Sequence, residues 1–597
     1  MTPMNATEVM ETLRVDDLKA IAKRAGLSKT ITRKPDLVAA LNHFIETEPA
    51  QFVQGLAPTE RSFLAEAIFN NNSVNPEVFS AKYNVDCPHP GASGKNCSLL
   101  NMVIARDRDA SEIYVARTIS QILRPLLEKP APPQPVKTDA IPETFDPYAE
   151  DGGTQGARHR PVHIYAGEQT VFPELRRVLQ LVQGGKVRVQ PKSGRPTPAT
   201  EKMIAASLVM PDFDLEPQND DRGDALLAGG AVRAHAWAVL VQQCDWCKAS
   251  GETLKLTRDG EQLLKCTTPE AFRDGVQSFC SDDKFDEMHR INNIKGQTGK
   301  GRRLTDPSER RDSILDGIAE WPLNDWMELG EAHRYLSACG HTFFVANNLM
   351  SLYFAEQRYG FLDDDVGLDR QYLRVLLFES LATLGLVDVA YVYPHFLWPE
   401  LGGGWGTDEM DFCGRYDGLL YVRLNPLGLY CLGRSGNYSP PAAEKRELFI
   451  VQPNHEIVVP DRVRLLPGDV SMLERFACRD GEHVWRIDKP LVLDYLESGG
   501  SLEEISRFLA DNAAQEIPRV IQSWFDDLNA RSRAIVKTED AWLVEFQDPA
   551  VAALVAHDSK AGTLCLLAGE RHVAVAKGNE RAFRTAVKKL GYVVPRS

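Results

Sequence analysis

Few residues in this sequence have the types and spacing that chemistry needs. Asp363-Asp364-Asp365 and Asp408-Glu409 with Asp411 gather carboxylates closely enough to hold Mg²⁺ for phosphodiester cleavage. A solvated acidic loop after Gly360-Phe361 is the stronger reading. Cys244 and Cys247 form a C-x2-C, with Cys266 and Cys280 downstream. That spacing suits zinc or redox chemistry, but the pair ends an apolar helix, where cysteine serves as a small core residue. Cys87-Pro88-His89 and Cys97 offer three ligands at loose spacing, short of the four a structural zinc takes. Gly299-Lys300 fails as a phosphate loop. Ile294 stands where the first glycine belongs, and Gly301 where Ser or Thr must follow the lysine. His341, His395 and His455 sit beside apolar residues, as core or edge histidines do. No Gly-x-Ser-x-Gly elbow and no His-Glu-x-x-His is present. The sequence therefore assigns no catalytic residue, no metal and no cofactor, and an enzyme is not expected.

What remains is phosphate-binding chemistry. Lys192-Ser193-Gly194-Arg195-Pro196 is a basic turn. Thr197 caps the helix after it, with Pro198 at the first helical position and Thr200 and Lys202 in its first turns. Such a helix presents its N-terminus and nearby cations to a backbone phosphate. Lys255 and Arg258 flank a second candidate contact, and Lys300, Arg302 and Arg303 a third, in the polar loop 282–317. Lys29, Arg33 and Lys34 form a fourth near the N-terminus.

The elements that must position these groups follow from periodicity. Phe172 to Val182 is an amphipathic helix closed by Gly184-Gly185, so helix, turn and capped helix stand in helix-turn-helix order. Ala231 to Cys247 is a further helix. Leu254-Lys255-Leu256-Thr257-Arg258-Asp259-Gly260 is a strand running into a helix, the usual wing of a winged-helix domain. Leu420 to Gly428, with its VRLNPLG, repeats that pattern after the apolar helix Tyr372–Leu384. Residues 162–281 and 318–446 are accordingly expected to be two winged-helix regions. Winged helices also serve as protein-binding modules, so a protein ligand stays open.

At 597 residues the chain is long enough for several domains, and 83 acidic against 68 basic residues give a net charge of −15. A globally basic nucleic-acid coat is excluded, and any contact with nucleic acid must be local. The hydrophobic fraction, 43%, is ordinary for globular protein. The 11 scattered cysteines fit reduced thiols. With no run long enough to span a membrane and no signal peptide after Met1-Thr2-Pro3, a cytoplasmic protein without membrane contact is expected. Pro130, Pro132, Pro133 and Pro135 open a linker over 129–161. Before it, 51–128 is expected to be all-helical, with Ser111–Leu127 as one helix. The expected fold class is α+β and multidomain, mainly helical, with winged-helix domains and a small C-terminal α+β cap over 532–597. That cap is expected to close on a strand at Gly591–Val594.

Two stretches resemble known families. Residues 1–50, through Leu18, Gly26, Leu27, Lys34 and Leu37, resemble a SAP-like motif, a small DNA-binding helix pair. Residues 447–531 read as strand, proline break, strand and three helices, through FIVQPNHEIVVP, YLESGGSLEEISRFL and IPRVIQSWFDDL. The order resembles the N-terminal domain of XPB-type repair helicases, a module of bacterial helicase-associated proteins. The chain departs from those helicases in having no phosphate loop and no Asp-Glu box. The resemblance implies a DNA-binding adapter in repair or in defence against foreign DNA, without its own ATPase, whose partner is a helicase, a nuclease or another subunit. A pure protein scaffold and a transcription regulator are the alternatives.

Overall fold

The computed structural model describes residues 5–90, 97–106, 112–146, 160–213, 231–298, 304–347, 367–394, 412–441, 447–461, 467–498, 500–532 and 540–595, with residues 349, 352–354, 398, 401 and 465 between them. The fold is α+β and mainly helical, with several small antiparallel sheets. Among the described residues no helix is long and apolar enough to cross a membrane.

Three successive units share one order: helix, short strand, helix, helical segment, then a two-stranded hairpin that runs into another helix. In the N-terminal unit these are Pro58–Phe69, Ser73–Val74, Pro76–Tyr83, Leu99–Met102, Ile104–Arg106 with Ile113–Val115, and Arg117–Leu123. In the first middle unit they are Val171–Gln183, a bridge at Arg188, Pro198–Ser207, Arg233–Gln243, Cys247–Ser250 with Thr253–Leu256, and Arg258–Lys265. In the second they are Pro307–Ile318, Met327–Glu328, Leu329–Ala338, a helix from Leu368, Val387–Tyr391 with Leu419–Leu424, and Pro426–Cys431. In each, the early strand pairs with the last strand of the hairpin.

The likeness between the middle units extends to single atoms. Asp245 (φ 57°) and Gly385 (φ 68°) are left-handed residues at the turn from helix to first hairpin strand. Thr257 and Asn425 cap the helix after the second strand, accepting from Gly260 N (3.1 Å) and Gly428 N (2.9 Å). Each cap also donates back to the turn, Thr257 Oγ1 to the Asp245 carbonyl (2.6 Å) and Asn425 Nδ2 to the Gly385 carbonyl (2.8 Å). A Cβ on Gly260 would lie 2.0 Å from the Trp246 carbonyl oxygen, and one on Gly428 2.0 Å from that of Leu386. Only glycine fits where helix and strand backbones approach so closely.

The two middle units share one hydrophobic core, from Tyr165 to Cys431. The strand His163–Tyr165 joins the second unit's sheet beside Val387–Tyr391. The helix Arg233–Gln243 lies against Leu376–Leu381, where the second unit's helix widens to π-helical bonding. Phe213 stacks on Phe378, ring centroids 4.2 Å apart.

Several expectations over-read helix or loop. Residues 113–115 form a strand, and the helix expected over 111–127 is confined to Arg117–Leu123. Ile113 and Val115 are buried while Tyr114 between them is half-exposed, an alternation with period two, not 3.6. Helices 6–47 share a core with this unit, from Ala6 to Leu123. The helix of the first unit stops at Gln243, and Cys247 is already in the hairpin. The stretch 282–317 is no continuous loop: Asp306 caps the helix Pro307–Ile318, whose Arg310 and Arg311 are buried. Arg310 pairs with Asp286 (2.6 Å) and Arg311 with Glu287 (2.7 Å), so charges that read as solvated are paired inside. The Pro-rich linker is fixed along part of its length: Val136 N donates to Glu331 (2.7 Å) and Thr138 N to the Trp326 carbonyl (2.8 Å).

Residues 447–531 form a four-stranded sheet with helices Pro467–Leu473, Lys489–Glu497, Leu502–Asn512 and Arg519–Ser532. Its strand Ala477–Arg479 was not expected. This module sits on the first middle unit. Its helix Pro467–Leu473 lies against Pro198–Ser207. Gln180 Nε2 donates to Glu504 (2.7 Å), and Arg475 Nη1 to Gln180 Oε1 (3.3 Å). The cap 541–594 has three antiparallel strands, in the order Ala541–Glu545, His572–Ala576, Cys565–Leu567, and two helices. Residues 591–594 are not a strand there.

Candidate nucleic-acid interface

The third helical position is where a DNA-reading winged helix exposes the side chains that enter the groove. In the two middle units the third helix is inside. Arg233, Ala234, His235, Ala236, Trp237, Ala238, Leu240, Val241 and Gln243 are buried, as is every residue from Leu368 to Leu381 apart from two half-buried ones, Asp369 and Arg370. Several of their polar groups are paired inside the core. Arg233 pairs with Glu174, donates to the carbonyls of Met210 (3.0 Å) and Pro211 (2.9 Å), and lies 4.3 Å over the Tyr165 ring. Trp237 Nε1 also donates to Glu174 (3.2 Å). Glu379, on the π-helical turn, accepts from Arg290 Nε (2.8 and 2.9 Å) and from the Tyr416 hydroxyl.

The expected contact residues divide sharply. Arg195 is half-buried and turns into a crevice with His235, Arg290 and Glu379. Burial and the neighbouring Arg290 pull its pKa down. In the same crevice burial, with Arg290 next, lowers His235 to about 3, so the imidazole is neutral while hydrogen-bonded to Glu201 (2.7 Å). Thr200 is 1% exposed and spent on the backbone: its hydroxyl donates to the Arg188 carbonyl (2.8 Å) and accepts from Arg188 N (2.9 Å). Thr197 caps its helix as expected, accepting from Thr200 N. Lys34 Nζ donates to the Glu11 carbonyl (2.6 Å). Thr200 and Lys34 thus have structural partners that compete with any phosphate, and Arg195 is drawn partly inside. Lys29, Arg33, Lys192, Lys202, Lys255 and Arg258 are exposed. Lys300, Arg302 and Arg303 lie outside the described residues, as do the carboxylates at 363–365, 408, 409 and 411 and His395.

Sequence reasoning missed three cations of the first unit's hairpin sheet. In Lys186-Val187-Arg188-Val189 the valines are buried and both cations exposed. Arg188 bridges to Thr253, and Lys248 stands directly opposite Lys255 across the hairpin. The signal is present in the sequence as alternation with period two.

Of the cysteines singled out in the sequence, Cys97, Cys244 and Cys247 are buried, Cys87 and Cys280 half-buried, and Cys266 exposed. Cys244 and Cys247 lie in the middle core, and burial raises both thiols. Burial also pushes Cys87 up to about 12, and Cys97 is fully buried. Among the described residues no group of three or more His, Cys, Asp or Glu is placed to hold a metal ion. His455 packs edge-on against Trp524, centroids 4.9 Å apart, and His341 lies 3.6 Å from Glu320. No protein-family model matches the chain, and no curated protein matches it.

Proposed function

We propose that this protein is a DNA-binding, helicase-associated adapter without a motor of its own, acting in DNA repair or in defence against foreign DNA. In this reading the three hairpin-bearing units are winged helices and 447–531 is the helicase-like module that meets a helicase, nuclease or sister subunit. The observation that supports it best is that this module is hydrogen-bonded onto a wing-bearing unit through Gln180, Glu504 and Arg475. A partner bound at 447–531 would be held at a fixed distance from whatever the wing holds. The reading is tested by titrating the full chain with labelled duplex DNA at low salt, beside an acidic control protein of similar charge. Binding no tighter than the control's removes the DNA half.

The burial of both third helices favours a second reading, in which the units bind protein only. Co-purification of a stoichiometric partner free of nucleic acid would select it. The two readings share the adapter module and differ in what the hairpin face contacts.

A further inference from the structure

We infer that the outer face of the first unit's hairpin sheet, formed by Lys186, Arg188, Lys248 and Lys255, is a binding site for the phosphodiester backbone of duplex DNA, independent of base sequence. The inference rests on the DNA-binding reading above and names the site within it.

Four observations carry it. All four side chains are exposed, while the residues alternating with them, Val187, Val189, Cys247 and Leu254, are buried, so the cations share the solvent side. Lys248 and Lys255 are a directly opposed cross-strand pair, an arrangement that costs stability unless an anion lies over it. None of the four has an ion-pair partner among the described residues, although the chain carries 15 more acids than bases. The hairpin turn adds only Glu252, after Gly251 in the left-handed region (φ 65°).

The same face states what it would not do. It carries no aromatic side chain, and single-stranded nucleic acid is held by aromatic platforms on which bases stack. Both helices that would read base edges are buried. What remains is charge on a pleated surface, which neutralises phosphates and discriminates no base.

The test uses the full chain and a duplex of arbitrary sequence, titrated between 50 and 200 mM salt. Four phosphate contacts give a slope of log K against log salt of about −3.6, and a loss of roughly 150-fold across that range. The variant K186E/R188E/K248E/K255E should lose the salt-dependent component. The milder K248Q/K255Q should flatten the slope by about 1.8. It should also melt higher than the wild type without DNA, because the opposed charges are gone. A second duplex of unrelated sequence should bind within about twofold. If the wild type binds duplex but both variants bind equally well, while reversal at Lys29, Arg33, Lys192 and Lys202 abolishes binding, the site is wrong and the DNA-binding reading stands. If the wild type binds no duplex at low salt, both fall. Tighter binding of single-stranded DNA than of duplex overturns the site's assignment.

Discussion

Gly428→Ala and Gly260→Ala should be damaging to the same degree, because the two glycines occupy one position of a repeated unit. In each, the added Cβ would stand 2.0 Å from a carbonyl oxygen of the preceding turn, about 1 Å closer than real Cβ atoms come to any neighbour. The obstacle is backbone on both sides, so no rotamer change relieves it. The helix start must move away from the strand by about that ångström. The move strains the cap that Asn425 or Thr257 makes to the glycine N–H, worth about 1 kcal/mol. Overpacking in a well-filled core adds about 1–3 kcal/mol. The expected cost is roughly 2–4 kcal/mol for each variant. At about 2–4 °C per kcal/mol for a body of 150–250 residues, the midpoint should fall by about 4–16 °C. Gly330→Ala is the control: nothing lies within 4 Å of its Cβ position and it sits in the helix Leu329–Ala338, so alanine should be neutral or stabilising by about 0.4–1 kcal/mol. Differential scanning calorimetry of the three variants reads all of this. Loss of less than about 2 °C in either damaging variant, or damage in one only, would refute the claimed equivalence of the units.

Arg311→Ala should cost about 3–5 kcal/mol in urea unfolding, since it leaves the buried Glu287 with the Tyr372 hydroxyl but no paired cation and frees the carbonyls of Phe279, Asp282 and Phe285. Burial raises the Asp417 carboxyl to about 6 despite Arg374. Because its folded pKa lies above the unfolded value, the group weakens the fold as pH rises from about 4 to 6. Asp417→Asn should remove that slope, with a gain at pH 7.5 of at most about 3 kcal/mol in thermal melts. His235 has the opposite sign. Its folded pKa is depressed, so the native state resists protonation and stability falls as pH drops below about 6.5; His235→Gln should flatten that limb. Gln180→Ala with Arg475→Ala should speed protease cutting between 447–531 and the middle units, measured by limited proteolysis, without lowering the middle units' own midpoint.

Local chemistry was legible in the sequence where it is written in neighbouring residues. Thr197 before Pro198, Asp488 before Lys489, and Ser501 with Glu504 cap helices that the structure contains. The echo between LKLTRDG and VRLNPLG proved to be one backbone arrangement, because its glycine and its cap do the same work twice. What was not legible depends on partners far away in sequence. Arg195 and Thr200 look like phosphate ligands beside a capped helix, yet Arg195 is half-buried in a crevice beside Arg290, and the Arg188 backbone takes up the Thr200 hydroxyl. Arg310 and Arg311 read as solvated cations, and carboxylates more than twenty residues earlier bury them. The strands at 113–115 and 477–479 are three residues long, so an alternation such as that of Ile113, Tyr114 and Val115 is too brief to stand out in the sequence, and pairing fixes them.

The measurement that bears most directly on the central claim is the salt dependence of duplex binding by the intact chain. A linear fall in log K with a slope between about −3 and −4, lost when Lys186, Arg188, Lys248 and Lys255 are reversed, is the result expected of an adapter that grips phosphates with its hairpin face. Binding that is absent at low salt, or that persists unchanged from 50 to 200 mM, would contradict it.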